Sequence, residues 1–143
     1  MCMALFPKNY PFTFPQRGPF TFYKVLESNG ENWVSPFIYT TGDSVLSFRR
    51  TPNPTDFIWK VGVNEAVGSI EIDGGYLYGG VLHGYTTMHT ASSECSSLAN
   101  AGSEAIVVEV VVAAHDLVAI NDENECAFTK CTVAALPPID EEL

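Results

Sequence analysis

Basic residues are scarce in this chain of 143 residues, which has seven Lys and Arg against 17 Asp and Glu and a formal net charge of −10. Proteins that bind nucleic acids in general neutralise phosphates with clustered Lys and Arg, so this balance argues against such a function. No basic amphipathic stretch indicates binding to a membrane surface. The composition therefore predicts neither a nucleic acid nor a membrane as the partner.

Long apolar runs and dense cysteine are also missing. The apolar stretch 105–114 is interrupted by Glu109 and is far shorter than the ~20 residues of a membrane span. The first apolar run ends at Pro7 with no positively charged segment before it, so no secretory signal is expected. Four cysteines without a secreted context do not suggest a disulfide framework. These absences predict a soluble protein made in a cytosol.

Cys126 and Cys131 are the one pair of cysteines whose spacing raises the question of a metal site. The segment CAFTKCTV is typical of a strand, and positions five apart on one strand face opposite sides. On that interpretation the two thiols cannot converge, and no metal is expected.

The first nineteen residues differ in composition from the rest of the chain. A proline recurs at every fourth position from Pro7 to Pro19, which forbids a helix and predicts an extended arm. Each aromatic ring of such an arm can bury about 150–250 Å², so the rings must pack on this domain or on another chain. The candidate partner-binding residues are Phe6, Tyr10, Phe12 and Phe14.

Alternating apolar residues predict several strands after the arm. Residues 20–27 alternate with apolar side chains on both faces, and the Asn29-Gly30 pair that follows is a hairpin signal. Residues 56–63 place Phe57, Trp59, Val61 and Val63 on one face with Lys60 on the other, which predicts a single strand. Residues 105–113 give the strongest pattern, with four β-branched side chains on one face.

One helix is predicted over residues 90–101, with Thr90 as its N-cap, Glu94 near its positive end and Gly102 as its stop. Its apolar stripe is Ala91, Cys95, Leu98 and Ala99. The fold class is therefore α+β and strand-rich, with an antiparallel or mixed sheet and one main helix. We expect an arm over 1–19, one domain over 20–136 and an acidic tail over 137–143. The predicted core comprises Phe22, Val25, Phe57, Trp59, Val61, Ile72, Leu98, Val108 and Val110.

The segment VLHGYTTMHTA contains the candidate residues for chemistry. His83, Tyr85 and His89 lie just before or at the start of the predicted helix, and a histidine–tyrosine pair beside a glycine can bind a small polar ligand. Glu109 interrupts a very apolar strand, and a buried carboxylate there could act as an acid or a base. The alternative for the histidines is a purely structural role, and the alternative for Glu109 is a strand whose second face meets solvent. No metal-ligand signature accompanies them.

The order of the motifs FYKVL, GVLHGYTTMHTASSE, AIVVEVVV and DLVAINDENECAFTKCTV resembles that of small bacterial and phage domains of unknown function. Their layout is YK, GxH, T-x-x-x-A, V-x-V-E-V and R-x-x-K-x-x-V, and the resemblance covers about residues 20–135. This chain departs from the layout at Cys126 and Phe128, where the layout often has a basic residue. The resemblance implies a phage or bacterial origin, and hence a bacterial cytosol or a virion, but no established activity.

The phrase LHGYTT, residues 82–87, also resembles the histidine-bearing strand of ADP-ribosyltransferase-like folds. That resemblance implies that His83 holds the nicotinamide ribose of NAD. Glu109 is the one glutamate that could then complete the site, although only 60 residues follow His83.

Three functions remain open at the level of sequence. The favoured one is a non-enzymatic protein–protein interaction or assembly protein that needs no cofactor and binds itself, as a homo-oligomer, or a host protein through its arm. The second is an enzyme or small-ligand binder that uses His83, Tyr85, His89 and Glu109 in a cleft. The third is an acidic inhibitor that mimics nucleic acid, suggested by the net charge of −10.

Overall fold

The computed structural model describes residues 3–4, 18–28, 30–35, 39–41, 44–46, 58–73, 76–78, 80–102, 104–120 and 123–139. Within these ranges the chain forms short strands and one α-helix, α1, from Met88 to Asn100. The strands are β1 Met3–Ala4, β2 Phe20–Ser28, β3 Trp33–Val34, β4 Tyr39–Thr41, β5 Ser44–Leu46, β6 Ile58–Trp59, β7 Gly62–Glu65, β8 Glu71–Asp73, β9 Tyr76–Tyr78, β10 Leu82–Tyr85, β11 Ala105–Val112, β12 Leu117–Ile120, β13 Glu125–Phe128 and β14 Lys130–Val133.

Nine of these strands form one sheet in the order β12-β13-β10-β2-β11-β14-β7, with β3 beside β2 and β6 beside β3. Every pairing between the described strands is antiparallel. Two smaller sheets contain β1-β9-β8 and β4-β5. The prediction of a strand-rich α+β fold with one main helix is confirmed.

Strand β2 lies in the middle of the large sheet because both of its faces are apolar. Strand β11 pairs with it in continuous register, from Ala105 opposite Glu27 to Val112 opposite Phe20. On the other edge β2 pairs with β10 through Tyr85 and Tyr23, and with β3 beyond that point. The predicted interior strand over residues 20–27 is therefore confirmed.

The two faces of the large sheet have different environments. We call the first the interior face; its largest side chains include Phe22, Leu26 and Phe128, and the rings of Phe22 and Phe128 stack with centroids 6.4 Å apart. We call the second the helix face, because α1 packs against part of it. Cross-strand neighbours share a face, so the register assigns each residue of the sheet to one of them.

Helix α1 begins two residues earlier than predicted. Thr87 is its N-cap, and the Thr87 hydroxyl accepts a hydrogen bond from the Thr90 backbone N–H at 3.2 Å, so the assignment of Thr90 as N-cap was wrong. Glu94 lies beyond the first turn, which contains no acidic residue. The predicted stop is correct: Gly102 has a φ of 93° and donates to the Ala99 carbonyl at 3.0 Å.

The apolar stripe of α1 is narrower than predicted. Ala91 and Leu98 are buried against Val25 and Tyr85 on the helix face, and Cys95 is half-buried beside them. Ala99 is exposed, because the packed side of the helix ends at Leu98. The helix thus covers the sheet through few side chains, and only over β10, β2 and β11.

Most of the predicted core is confirmed, since Phe22, Val25, Trp59, Leu98, Val108 and Val110 are buried. Val61 is 56% exposed, so its assignment to the core was wrong. Phe57 and the side chain of Ile72 lie outside the described residues.

The error at Val61 arises because residues 56–63 do not form one strand. Strand β6 ends at Trp59, and β7 starts at Gly62, whose φ of 99° marks a sharp change of direction. The turn is closed by Asn64, whose Oδ1 accepts from the Lys60 N–H at 2.9 Å and whose Nδ2 donates to the Lys60 carbonyl at 2.8 Å. Period-two alternation cannot pass through such a turn, so Val61 and Val63 turn outward while Trp59 stays buried.

The segment CAFTKCTV also contains two strands where one was predicted. Strand β13 ends at Phe128, and β14 starts at Lys130 after a break at Thr129, whose N–H donates to the Asp116 carbonyl at 2.8 Å. Because Thr129 is an extra residue between the two strands, the alternation of side chains between the faces is reversed after it. Cys126 and Cys131 therefore both belong to the interior cluster. The inference that the two thiols face opposite sides was therefore wrong.

The described residues near both ends of the chain contact the domain. Met3 pairs with Leu77, and Ala4 with Tyr76, which places β1 beside β9 of the same chain. At the other end, the Trp33 Nε1 donates to the Pro137 carbonyl at 2.8 Å, and Ile139 packs against the interior cluster. The candidate residues Phe6, Tyr10, Phe12 and Phe14 lie outside the described residues, as do positions 140–143.

Candidate functional site

The four candidate residues for chemistry occupy different environments. His83 and Tyr85 lie on β10, where His83 is half-buried opposite Ala127 and Tyr85 is buried. His89 is exposed in the first turn of α1, and Glu109 is exposed on β11. The alternative interpretation of Glu109, a strand face that meets solvent, is therefore the one that the structure supports.

Tyr85 and Glu109 are nevertheless neighbours in one row of the sheet. Tyr85 pairs with Tyr23 on β2, and Tyr23 pairs with Glu109 on β11, so the three side chains lie side by side on the helix face. Antiparallel strands are about 4.8 Å apart, which separates Tyr85 from Glu109 by about 10 Å along this row. Glu109 consequently lies at the uncovered end of the row and Tyr85 at the buried end.

The electrostatics of Tyr85 restrict its chemistry. Burial raises the pKa of the phenol well above its usual value, and the carboxylates of Glu94 and Glu125 raise it further. A phenol in this environment keeps its proton at neutral pH, so Tyr85 can donate a hydrogen bond but is a poor base.

A buried lysine is the feature that the sequence analysis missed. Lys24 is 6% exposed on the interior face of β2, and its Nζ lies 5.3 Å from the centre of the Trp59 ring. Burial lowers the pKa of Lys24 to about 8, while Cys126 and Cys131 act in the opposite direction. Strand parity carried the signal, because Lys24 shares its face with Phe22 and Leu26.

Both thiols of the interior are held in the protonated state. Burial raises the pKa of Cys126 above its usual range and that of Cys131 to about 12, although Lys24 lowers both. Thiols with such pKa values are weak nucleophiles and weak metal ligands at neutral pH. In the described part of the chain, no three His, Cys, Asp or Glu side chains are grouped so that they could hold a metal ion.

A row of exposed β-branched residues crosses the uncovered part of the helix face. The register places Val111 opposite Thr21 on one side and Thr132 on the other, and Thr132 opposite Val63. We call Thr21, Val111, Thr132 and Val63 the valine row. Val63 is 54% exposed and Val111 is 44% exposed, and both threonines are exposed as well. Four adjacent strands therefore present one continuous, partly apolar stripe to solvent.

An open groove of about 330 Å³ runs along the valine row. Val63 and Val111 line it together with Ala113, His115 and Pro19, the residue with which the aromatic arm ends. His115 is exposed, and its Nε2 lies 3.5 Å from the Asp116 carboxylate. The arm thus joins the folded domain at the edge of a groove whose lining combines these apolar side chains with two charged ones, Asp116 and Lys130.

No helix in the described ranges is long and apolar enough to cross a membrane. The resemblances to small phage and bacterial domains and to ADP-ribosyltransferase-like folds stay predictions, and the interpretation of the site depends on the geometry above. Comparisons with protein-family models, with curated proteins and with solved structures find no match to this chain.

Proposed function

We propose that this protein is a small non-enzymatic assembly protein, of phage or bacterial origin, that binds another protein chain through its aromatic arm, residues 1–19. The observation that carries the proposal is the groove beside Pro19, where Val63 and Val111 are exposed although the chain has a well-packed interior. Exposed apolar patches with a polar surround commonly mark protein interaction sites.

The composition of the arm supports the same proposal. Four aromatic rings at Phe6, Tyr10, Phe12 and Phe14 alternate with prolines, and such rings are enriched at protein interfaces. A proline-stiffened segment loses little conformational entropy when it binds, so more of its contact energy appears as affinity. A second copy of the chain is the partner that we propose first.

The environments of the candidate chemical residues also favour binding over catalysis. Tyr85 keeps its proton and lies under α1, whereas His89 and Glu109 are exposed. In the described part of the chain Cys95, Cys126 and Cys131 are free thiols, which fits a reducing compartment such as a bacterial cytosol, or a virion assembled there.

The proposal is tested with the full chain and an arm variant, Phe12→Ser together with Phe14→Ser. We expect the wild-type chain to have at least twice the mass of the 15.6 kDa chain in multi-angle light scattering at about 100 µM, and the variant to be monomeric. The association constant should fall roughly 100-fold, because two interface rings are lost.

Thr13→Ala in the same arm is the matched control, since it leaves every ring in place. It should keep the wild-type mass. A wild-type chain that is monomeric at this concentration, or a ring variant that keeps the wild-type mass, would overturn the proposal of self-assembly through the arm.

A further inference from the structure

We infer that the valine row is the binding site for residues 5–17 of a second copy of this chain. This inference rests on the proposed function and adds to it the surface on which the arm binds. Three independent observations support it: the exposure of the row, the positions at which the arm is attached, and the distribution of charge.

The first observation is that the described part of the chain leaves the row exposed. Helix α1 covers the helix face over β10, β2 and β11, and Ala91 and Leu98 are buried there. Beyond that point the same face continues over β14 and β7, where Val63 remains 54% exposed. An occupant from outside the chain can therefore bury Val63 and Val111 without displacing any of the described elements.

The second observation concerns the two attachment points of the arm. Ala4 is fixed in β1 against β9, and Pro19 lines the groove, so the 13 residues between positions 5 and 17 connect two places on the domain. At about 3.1 Å per residue a proline-rich segment of this length extends to about 40 Å. We infer that a segment of this length, which joins the domain beside the groove, binds the row of a neighbouring molecule with its rings.

The third observation is charge complementarity. The arm contains Lys8 and Arg17 but no Asp or Glu, so it carries a charge of +2, which leaves −12 for residues 20–143. Glu109 lies two residues from Val111 on β11, but the groove is lined by the basic Lys130 as well as by Asp116, so the attraction for the arm comes from the acidic domain as a whole. A second copy therefore offers the row one segment that is both apolar and basic, whereas the remaining surface of an acidic partner would be repelled.

The dimensions of the row suit aromatic rings. Four strands about 4.8 Å apart give a stripe about 14 Å long, and β-branched side chains form a flat surface on a sheet. Two rings two residues apart, such as Phe12 and Phe14, can lie along such a stripe. Burying them against Val63 and Val111 would remove apolar surface of both chains from water.

The experiment is a complementation assay with two full-length variants. The arm variant is Phe12→Ser with Phe14→Ser, which keeps its row. The row variant is Val111→Lys, which keeps its arm; Thr132→Lys is a second row variant at a position that is already exposed and polar. The control is Val67→Lys, because Val67 is 84% exposed and lies outside the row. Circular dichroism checks that each variant is folded.

We expect the arm variant and both row variants to be monomeric by light scattering, and Val67→Lys to keep the wild-type mass. An equimolar mixture of the arm variant with a row variant should form a one-to-one complex, because one intact arm then meets one intact row. Association within each single variant should be roughly 100-fold weaker than in the wild type.

The outcomes separate the two proposals. If the arm variant is monomeric while both row variants keep the wild-type mass, the arm binds elsewhere, and the inference fails while the proposed function stands. If the single variants dissociate but the mixture does not recombine, the arm and the row do not bind each other, and the inference fails again. If no variant changes the mass, both proposals fall.

Discussion

Lys24 lies on the interior face of β2 between Phe22 and Leu26, where an ammonium group loses most of its hydration. Among the described residues, the contact that offsets this loss is the face of the Trp59 ring, whose centre lies 5.3 Å from the Lys24 Nζ. A cation over a desolvated ring contributes about 2 kcal/mol to stability. The pKa of Lys24 is lowered from 10.5 to about 8, and this shift corresponds to a cost of about 3 kcal/mol for keeping the charged form buried.

We predict that Lys24→Met stabilises the protein at pH 7 by about 1 kcal/mol, since it removes the cost of burying charge but also the contact with Trp59. The sign of the pH dependence follows from the lowered pKa. Between about pH 8 and 10.5 the unfolded state binds more protons at Lys24 than the folded state, so wild-type stability rises with pH in this window. The advantage of the Met variant should therefore shrink as the pH rises.

Urea unfolding at pH 7 and pH 9.5, followed by circular dichroism, measures this effect. Lys60→Met is the matched control, because Lys60 is exposed, and its stability should follow the wild type at both pH values. The Lys24→Met and Lys60→Met variants both keep Cys126 and Cys131. Because the pKa values of these thiols are raised in the folded protein, alkaline pH lowers the stability of both variants to a similar extent. An advantage of Lys24→Met that does not change with pH would show that Lys24 is not desolvated.

The thiols of the interior give a second prediction at the residue scale. Cys126 and Cys131 are buried and Cys95 is only half-buried on α1, although burial raises the pKa of all three thiols. Among these three thiols, iodoacetamide at pH 8 should alkylate Cys95 first, and should reach Cys126 and Cys131 only when the protein unfolds. Peptide mass spectrometry after timed quenching, with and without urea, assigns each rate. Rapid native modification of Cys131 would contradict the closed interior.

At the scale of elements, the turn between β6 and β7 depends on one side chain. Asn64 is buried, and its amide makes three hydrogen bonds to backbone groups, including one from Nδ2 to the Gly62 carbonyl at 3.3 Å. We predict that Asn64→Ala lowers the free energy of unfolding by about 3 kcal/mol, because the Lys60 N–H and carbonyl lose their partner. Thermal unfolding measures the change.

The neighbouring exposed residue provides the control for this turn. Glu65→Ala, in the same strand, should change stability by no more than about 0.5 kcal/mol. Equal stability of the Asn64 and Glu65 variants would mean that water replaces the Asn64 amide without cost, and that the turn is held by other contacts.

The same turn explains how far strand patterns predict this fold. Alternation identified β2 and β11 correctly, because each is long and pairs along its whole length. Alternation failed over residues 56–63, because a hydrophobic pattern does not reveal a turn that is held by side chain–backbone hydrogen bonds. It also failed over residues 126–131, because a single extra residue reverses the faces on which the following side chains lie. The helix was predicted through Ala91 and Leu98, and its start was misplaced because Thr87 and Thr90 are equally good caps.

The residues of the candidate sites differ in how far the sequence predicted their positions. The position of Glu109 on a solvent-exposed face followed from its alternation with Val108 and Val110. The valine row could not be predicted, because it combines β2, β11, β14 and β7, and strand order is a property of tertiary structure. The burial of Lys24 was predictable from strand parity alone. It was missed because a lysine is rarely buried without a partner, so none was expected in the core.

At the scale of the whole molecule, the one α-helix of the described residues covers only part of the nine-stranded sheet. On the interior face, side chains from most strands of the sheet form one cluster, and Leu136 and Ile139 pack against it. On the helix face α1 packs mainly over β10, β2 and β11, and in the described residues Thr132 of β14 and Val63 of β7 are exposed. The exposed valines, Val63 and Val111, lie on this part of the helix face.

Charge distribution leads to the last prediction, which concerns the assembled molecule. If a basic arm binds an acidic domain, association should weaken about three- to ten-fold between 0.05 and 0.5 M NaCl, because salt screens the attraction between exposed charges. A contact that is only apolar would not weaken in salt. Light scattering over a concentration series at each salt level measures this dependence. The variant Lys8→Gln with Arg17→Gln removes both charges of the arm and should lose the salt dependence while keeping its rings, whereas an unchanged salt response in that variant would place the attraction outside the arm.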